Sequence, residues 1–190
     1  MYQWYRGFIQ GKTRATAAWI FAILLGVLAR DTPYWPGIVI CFIGASLRFW
    51  ASGYILKDSK LAVGGPYSIV RNPLYLGTYL MAVGVAMAVQ NIYLLLAVTI
   101  LFAGVYHYII LDEETKLKTM FGPDYAVYCG TVPRFFPKPW PVSSEKLRPI
   151  NPEVLHFSWN IAIKNKAYEA YATFIALIGY VWAASYLWNF

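Results

Sequence analysis

Two polar segments of this sequence hold the residue types that could bind and process a small molecule. The first contains Tyr67, Arg71, Asn72 and Tyr75, and the second is the acidic run that includes Glu113. A carboxylate can bind ribose hydroxyls or an ammonium group, and a tyrosine ring attracts cations. Taken alone, the first segment fits at least as well the start of a membrane helix, with arginine at the head groups and tyrosine in the aromatic belt.

Three further ionisable residues lie close to these segments or inside apolar sequence. Glu114 precedes Lys118 by four positions, a spacing that favours a helix-surface ion pair. His107 lies within a long uncharged run, where it either lines a substrate cavity or packs as a neutral ring between helices. Arg48 interrupts another apolar run, so we expect it to pair with a buried acceptor, snorkel to the surface or hold a lipid phosphate.

The sequence elements that must position these residues are membrane helices. The chain has 190 residues, of which 59% are hydrophobic and only 13% are charged. No Asp, Glu, Lys or Arg occurs at positions 72–111 or 170–190, and an uncharged apolar run of about 18 residues or more is typical of a membrane span. We therefore predict an all-α membrane bundle of five spans, at about 15–29, 35–56, 74–89, 92–111 and 170–187.

The distribution of basic residues predicts the orientation of these spans. Fourteen of the lysines and arginines lie in the N-terminal segment, the loop after the second span and the segment after the fourth, whereas only Arg30 lies on the other side. Basic residues collect on the cytoplasmic side. We therefore expect a cytoplasmic N-terminus and a site that faces the cytoplasm, and the net charge of +7 then needs no nucleic-acid partner.

The segment between the fourth and fifth spans is predicted to be partly helical. The fourth helix should continue to about Met120 and end at Phe121-Gly122-Pro123, because a residue before proline disfavours helix. Asn151-Pro152 should start an interfacial helix that precedes the last span. We treat 1–190 as one membrane domain, with residues 58–138 as its core and 141–190 as the interfacial helix and last span.

Several other functions lack their motifs in this sequence. His107 and His156 are too few and too far apart for a metal site, so none is predicted. There is no Gly-x-Gly-x-x-Gly after a strand and no Gly-x-Ser-x-Gly, which argues against a dinucleotide fold and an α/β-hydrolase. Cys41 and Cys129 are predicted to be free thiols.

The order of motifs in the core resembles the superfamily of isoprenylcysteine carboxyl methyltransferases and phospholipid methyltransferases. The chain reads Leu61-Ala-Val-Gly-Gly-Pro-Tyr67, then Arg71-Asn-Pro-Leu-Tyr75-Leu-Gly77. After a hydrophobic hairpin come Glu113-Glu114, Phe121-Gly-Pro-Asp-Tyr-Ala-Val-Tyr128 and Val132-Pro-Arg-Phe-Phe-Pro137. The resemblance implies an integral membrane enzyme that takes S-adenosylmethionine at the cytoplasmic surface and a lipid substrate from the bilayer.

The resemblance also implies which residues bind the cofactor, and the hypothesis of methyl transfer to an amphiphile suggests which residues serve the reaction. The cofactor is expected to meet the loop, the start of the third span and the acidic pair, at Ser59, Lys60, Leu61, Ala62, Tyr67, Asn72, Pro73, Leu74, Tyr75 and Glu113. Arg71 would hold an anionic substrate or the cofactor carboxylate, while Glu114 and His107 would orient the substrate or accept a proton. Lipid or lipidated small molecules are the expected partners, and the oligomeric state is open.

Two positions depart from the superfamily pattern. Asn72 stands where the motif usually has histidine, and asparagine keeps a donor and an acceptor but does not titrate. Ile109 stands where isoprenylcysteine enzymes carry an arginine, so a lipid head group is as good an acceptor as a prenylcysteine carboxylate. Two alternatives remain open: an NADPH-dependent membrane reductase of the sterol-reductase type, and a non-catalytic lipid-binding protein.

Overall fold

The computed structural model describes residues 21–56, 59–151 and 156–189, and no strand occurs among them. Residues 21–28 form helix α1, and residues 1–20 lie outside the described part. A short 3₁₀ helix, Gly65–Ser68, lies between the second and third α-helices. The other helices are α2 (Trp35–Ser52), α3 (Pro73–Ala88), α4 (Ile92–Thr131), α5 (Ser144–Leu147), α6 (Trp159–Lys164) and α7 (Glu169–Trp188).

Three of these helices, α2, α4 and α7, are long and apolar enough to cross a membrane. Helix α3 is equally apolar but has 16 residues, so it falls short of the usual spanning length. The predicted first span, 15–29, lies partly outside the described residues. The all-helical class is thus confirmed for the described residues, and three of the predicted spans coincide with helices that could cross a membrane, while the count of five spans stays a prediction.

Helices α2 and α3 form the closest helix pair in the described fold because glycines line their contact. A Cβ added to Gly44 would lie 2.6 Å from the carbonyl oxygen of Gly77 and 2.7 Å from the amide nitrogen of Met81. The two backbones therefore touch directly. This contact fixes the start of α3, and with it Asn72 and Tyr75, relative to the end of α2.

Helix α4 is interrupted at Gly122, where a kink separates two helical segments. Gly122 takes φ +50° and ψ −119°, a conformation that glycine adopts without steric cost. Pro123 has no amide hydrogen, so it can open a second helical segment directly after the bend. The predicted end of the fourth helix at Phe121-Gly122-Pro123 is confirmed by this interruption, whereas the second helical segment, which continues as far as Thr131, was not predicted.

The loop that precedes α3 is held by backbone and side-chain hydrogen bonds from the segment after the bend. The amide of Arg71 donates to the carbonyl of Pro133 at 2.8 Å, and the hydroxyl of Tyr128 donates to the carbonyl of Tyr67 at 2.7 Å. Nδ2 of Asn151 donates to the carbonyl of Leu61 at 2.8 Å. These hydrogen bonds therefore fix the position of the loop relative to the segment after the bend.

The predicted helix start at Asn151-Pro152 lies mostly outside the described residues, and residues 156–158, through which that helix was expected to run, are not helical. The side chain of Asn151 is buried against the loop, and residues 152–155 lie outside the described part. The next described helix, α6, begins at Trp159, where the hydroxyl of Ser158 accepts from the amide of Ile161. Nδ2 of Asn165, at the end of α6, donates to the carbonyls of Ser52 and Ile55, which ties this helix to the end of α2.

Candidate functional site

A cavity of about 220 Å³ lies between the loop before α3 and the outer part of α4. We call it the tyrosine cavity, because three buried tyrosines line it. Six predicted cofactor residues, together with Arg71, also lie in its wall. The lining residues are Ile55, Leu56, Lys60, Leu61, Ala62, Tyr67, Arg71, Asn72, Glu113, Leu117, Met120, Phe121, Tyr125 and Tyr128.

Glu113 brings a carboxylate to this cavity from helix α4. Its Oε2 accepts a hydrogen bond of 2.6 Å from the hydroxyl of Tyr75, at the start of α3. The two predicted halves of the site therefore meet through side-chain contact. Because one oxygen is fixed by Tyr75, the carboxylate is held in place beside the cavity, where it can accept hydrogen bonds from ribose hydroxyls or attract a cation.

Tyr67 forms a buried aromatic wall of the cavity. Burial raises the pKa of its phenol well above the usual value of 10, and the nearby Tyr128, Glu113 and Tyr75 add to that rise. The phenol is therefore neutral at any physiological pH. A neutral, electron-rich ring suits contact with a sulfonium cation.

Asn72 is the capping position of α3 and also lines the cavity. Its Nδ2 donates to the carbonyl of Arg134 at 2.9 Å. The amide therefore positions the segment after α4. A histidine could make such a bond only through a ring nitrogen, so asparagine preserves a donor here without adding a group that titrates near neutral pH.

Four predicted cofactor residues lie outside the cavity lining in the described structure: Ser59, Pro73, Leu74 and Tyr75. Leu74 packs instead against the apolar cluster of Ala51, Tyr54 and Tyr67. Tyr75 contributes indirectly, because its hydroxyl donates to the carboxylate of Glu113, which does line the cavity. The glycine motif in the loop also serves the fold, since Gly65, at φ +54°, is closely approached by the ring of Tyr54.

Glu114 does not pair with Lys118, the partner that the spacing of four positions predicts. Arg134 binds it in a fork, with Nε 3.0 Å from both carboxylate oxygens and Nη2 2.7 Å from Oε2. Arg71 adds an ion pair of 3.1 Å. The predicted pair with Lys118 is therefore wrong: Glu114 turns inward, where the loop and the segment after α4 supply two guanidinium groups.

This ion-pair cluster changes the expected role of Arg71 and Glu114. Their side chains are only 10% and 12% exposed, whereas that of Arg134 is 44% exposed. The hydrogen bond to Glu114 raises the pKa of Arg134, so this guanidinium stays charged. Glu114 is thus an anchor for two arginines, and a role as proton acceptor would require it to give up these partners.

His107 lines a second cavity, of about 350 Å³, that contains mostly aromatic residues. We call it the aromatic cavity; its wall includes Tyr79, Phe102, Tyr106, Phe135 and Arg134. The rings of Phe102 and Tyr106 stack with centroids 4.0 Å apart. His107 thus lies beside a cavity whose lining differs from that of the tyrosine cavity, and its role toward a substrate stays a prediction.

Arg48 is paired inside the bundle and does not line either cavity. Its guanidinium donates to the hydroxyl of Thr78 and, at 3.4 Å, to the carbonyl of Leu74. A buried acceptor is one of the outcomes predicted from sequence. The arginine therefore links α2 to the first two turns of α3.

Three residues of the site were not singled out from the sequence: Tyr125, Tyr128 and Arg134. Tyr125 and Tyr128 are three positions apart, a spacing that places them on one helix face once the chain resumes helix after Gly122. Both stand in the motif Phe121-Gly-Pro-Asp-Tyr125-Ala-Val-Tyr128, which was the available signal. Arg134 stands in the quoted motif Val132-Pro-Arg-Phe-Phe-Pro137, but its pairing with Glu114, 20 positions away, had no local signal.

Residues 39–124 match the phospholipid methyltransferase family. This region contains α3, the acidic pair and most of the tyrosine cavity. The chain is also 32% identical over 81 residues to a protein-S-isoprenylcysteine O-methyltransferase of Schizosaccharomyces pombe, a match that covers 43% of this chain and 34% of that protein. No solved structure matches the chain.

Two bacterial resistance proteins are similar over a longer stretch. A cobalt-zinc-cadmium resistance protein of Cupriavidus metallidurans is 30% identical over 132 residues, or 67% of this chain and 56% of that protein. A nickel-cobalt-cadmium resistance protein of Alcaligenes xylosoxydans xylosoxydans is 31% identical over 132 residues, or 68% of this chain and 57% of that protein. The chain thus spans little more than half the length of these relatives.

Proposed function

Because the chain belongs to the superfamily of isoprenylcysteine carboxyl and phospholipid methyltransferases, we propose that it transfers a methyl group from S-adenosylmethionine to an amphiphile at the membrane surface. The observation that carries the proposal is the contact of Tyr75 with Glu113 beside a cavity walled by tyrosines. The match to the family covers both of these residues.

The residues of the tyrosine cavity fit the chemistry of this methyl donor. Tyr67, Tyr125 and Tyr128 offer aromatic surface to a sulfonium. Glu113 can accept hydrogen bonds from ribose hydroxyls or the donor's amino group. Asn72 adds an amide at the start of α3, where helix amides favour a carboxylate.

S-adenosylmethionine supplies a methyl group that is already activated by its positive sulfur, so the chain needs mainly to position the acceptor and exclude water. In the proposed reaction a lone pair of the acceptor forms the new bond to the methyl carbon, the carbon–sulfur bond breaks, and S-adenosylhomocysteine leaves. An acceptor atom that carries a proton must lose it. His107 lies in the aromatic cavity, where its imidazole can accept that proton.

Arg71 and Glu114 are proposed to position rather than to react. Arg71 lines the tyrosine cavity while its Nη2 is paired with Glu114. It can therefore present a fixed positive charge to the donor carboxylate or to an anionic acceptor. Glu114 holds that guanidinium and the one of Arg134 in place.

The test is incubation of the purified protein with isotopically labelled S-adenosylmethionine and total membrane lipid, followed by mass spectrometry of the lipids. The proposal predicts that at least one lipid species gains a labelled methyl group, and that Glu113→Gln abolishes this gain. Glu169→Gln is a matched control, because Glu169 lies in α7 and pairs only loosely with Lys166, at 3.8 Å. If the protein binds S-adenosylhomocysteine but no lipid gains a label, the proposal that the acceptor is a lipid is wrong.

A further inference from the structure

The segment that follows α4 carries two large aromatic side chains that the described part of the fold leaves uncovered. This segment, residues 133–141, reads Pro-Arg-Phe-Phe-Pro-Lys-Pro-Trp-Pro, and we call it the proline segment. Phe136 is 83% exposed and Trp140 is 78% exposed. Because contact between apolar area and water costs free energy, we expect another surface to cover both side chains.

Phe135, in the same segment, packs deep among the helices that could cross a membrane. The centroid of its ring lies 5.7 Å from that of Phe102, in α4. Phe102 precedes Asp112, the first carboxylate of α4, by ten positions, or about 15 Å along the helix. Even if the whole of the 5.7 Å pointed toward Asp112, the ring of Phe135 would lie about 9 Å inside the level of that carboxylate.

Helix α3 gives an independent measure of the same depth. The ring centroids of Phe135 and Tyr79 are 6.0 Å apart. Tyr79 lies six positions after Pro73, where α3 begins, or about 9 Å along that helix. Both helices therefore place the ring of Phe135 on the apolar side of the charged boundary, within the hydrocarbon core of a membrane about 30 Å thick.

Phe136 lies at a similar depth but on the outside of the bundle. Its ring meets that of Phe135 edge to face, with centroids 5.9 Å apart. Leu101, next to Phe102 in the apolar part of α4, is likewise exposed, at 64%. A membrane that surrounds α4 at this level would therefore also surround Phe136.

The backbone of the proline segment suits a place beside lipid. Four of its nine residues are proline, which has no amide hydrogen. The carbonyl of Arg134 accepts from Nδ2 of Asn72 at 2.9 Å, and the amide of Lys138 donates to the carbonyl of Ile69 at 3.1 Å. Lipid chains offer no hydrogen bonds, so irregular backbone near them must find its partners within the protein or lack donors.

The two cations of the proline segment do not oppose its contact with lipid. Arg134 is paired with Glu114 at 2.7 Å. Nζ of Lys138 donates to the carbonyl of Thr131 at 2.8 Å, so this ammonium group is bound to the end of α4. Both charges are thus directed to the protein, while the aromatic side chains between and after them are exposed.

Trp140 lies nearer to the polar surface than Phe136. The amide of Val142, two positions further, donates to the carbonyl of Ser68 at 3.0 Å, in the loop before α3. Trp140 therefore lies close to the level at which α3 begins. Tryptophan is enriched at this level of membrane proteins, because its ring is apolar and its indole N–H can donate to the polar region.

We propose that the proline segment inserts into one leaflet of the bilayer, with Phe136 among the acyl chains and Trp140 at the level of the head groups. The partner is the bilayer itself, which acts as a surrounding surface and not as a substrate. The insertion fixes the segment that carries Arg134, and hence the partner of Glu114, to the membrane. This proposal does not depend on the methyl-transfer reaction.

The experiment measures the surroundings of single spin labels on the full chain, reconstituted in phosphatidylcholine vesicles. Labels are attached at Phe136→Cys and Trp140→Cys, with Leu101→Cys as the lipid control and Ser144→Cys, at the exposed start of α5, as the water control. Cys129 is replaced by serine in all variants, and Cys41 is fully buried and escapes the label. Paramagnetic resonance then compares collisions with oxygen, which concentrates in lipid, and with a nickel chelate, which stays in water.

The ratio of oxygen to nickel collisions at Phe136→Cys is expected to equal that at Leu101→Cys and to exceed that at Ser144→Cys. Trp140→Cys should give a value between the two controls, because it lies nearer to the polar surface. Both Phe136 and Trp140 are mostly exposed, so the substitutions remove few contacts within the chain. Unfolding temperatures close to that of the Ser144→Cys variant would confirm that the labelled proteins are folded.

Two results would overturn the proposal. If the labels at both aromatic positions meet the nickel chelate as often as the label at Ser144→Cys does, the proline segment lies in water. If the label at Phe136→Cys meets neither reagent, protein covers this position, and a second copy of the chain replaces lipid as its partner. Binding of S-adenosylhomocysteine, measured on the same variants, tests the proposed function separately, since neither aromatic residue lines the tyrosine cavity.

Discussion

The hydroxyl of Tyr75 donates to Oε2 of Glu113 over 2.6 Å, although 38 positions separate the two residues in sequence. This bond joins the start of α3 to the outer part of α4. The ring of Tyr75 also contacts Tyr106 edge to face, with centroids 5.6 Å apart. Tyr75 therefore lies between the tyrosine cavity, which Glu113 lines, and the aromatic cavity, which Tyr106 lines.

The first prediction concerns this bond. Tyr75→Phe keeps the ring and its contact with Tyr106 but releases Oε2 of Glu113. We expect a loss of S-adenosylhomocysteine affinity of about two- to tenfold, which corresponds to a hydrogen bond worth about 0.5–1.5 kcal/mol. Titration calorimetry measures it. Tyr93→Phe, at the exposed start of α4, is the control and should bind like the wild type; equal affinity in both variants would contradict an orienting role for Tyr75.

The second prediction concerns the carboxylate between two arginines. Glu114→Gln leaves the buried guanidinium of Arg71 without its counter-charge, so the variant should lose about 1–3 kcal/mol of folding free energy. Denaturant titration of the purified protein in detergent measures this loss. Glu169→Gln removes an exposed pair, which contributes about 0–1 kcal/mol. A cost for Glu114→Gln no larger than for Glu169→Gln would show that the cluster does not stabilise the fold.

The third prediction concerns the contact of α2 with α3. Gly44→Ala places a Cβ 2.6 Å from the carbonyl oxygen of Gly77, so the helices must move apart. We expect a destabilisation of about 1–3 kcal/mol, as for other overpacked sites. Gly104→Ala is the matched control, because a Cβ there meets no atom within 4 Å and alanine favours helix. The unfolding temperatures of the two variants measure these effects. A Gly44→Ala protein as stable as the wild type would refute the close packing of α2 against α3.

The fourth prediction concerns alkaline pH. The pKa of Tyr67 is raised by burial, so the folded state holds its proton more tightly than the unfolded state, in which the phenol titrates near 10. This contribution to stability is complete below pH 10 and is lost as the pH rises toward the folded-state pKa. The wild type should therefore lose more stability between pH 9 and about 11.5 than Tyr67→Phe does. Parallel slopes for the two proteins would contradict the burial of the phenol.

The helices could be predicted because a membrane requires long uncharged runs, and the sequence shows these directly. The turn at Gln90-Asn91 is an example: Gln90 takes φ +59°, and Asn91 caps α4 by accepting from the amide of Leu94. The predicted helix boundaries differ from the observed ones where two local sequence preferences act on the same residues. The first segment of α4 ends at Gly122 as expected, but Pro123 also starts a second helical segment that was not predicted, because proline can both stop one helix and start the next.

The site could be predicted in outline because the order of its motifs resembles a known superfamily, but its pairings could not. The partner of Glu114 was inferred from a spacing of four, while its true partners, Arg71 and Arg134, are 43 and 20 positions away. Likewise, Tyr128 reaches the carbonyl of Tyr67 across 61 positions. Such contacts depend on how the bend at Gly122 returns the chain to the loop, which no local pattern encodes.

The central claim, that the tyrosine cavity binds a sulfonium nucleoside, is tested most directly by equilibrium binding of S-adenosylhomocysteine to the purified protein, with NADPH measured in parallel. We predict micromolar binding of S-adenosylhomocysteine, no binding of NADPH, and loss of the former in Glu113→Gln but not in Glu169→Gln. Binding of NADPH in place of S-adenosylhomocysteine would instead support a membrane reductase. Binding of neither ligand by folded protein would contradict the account and favour a non-catalytic lipid-binding protein.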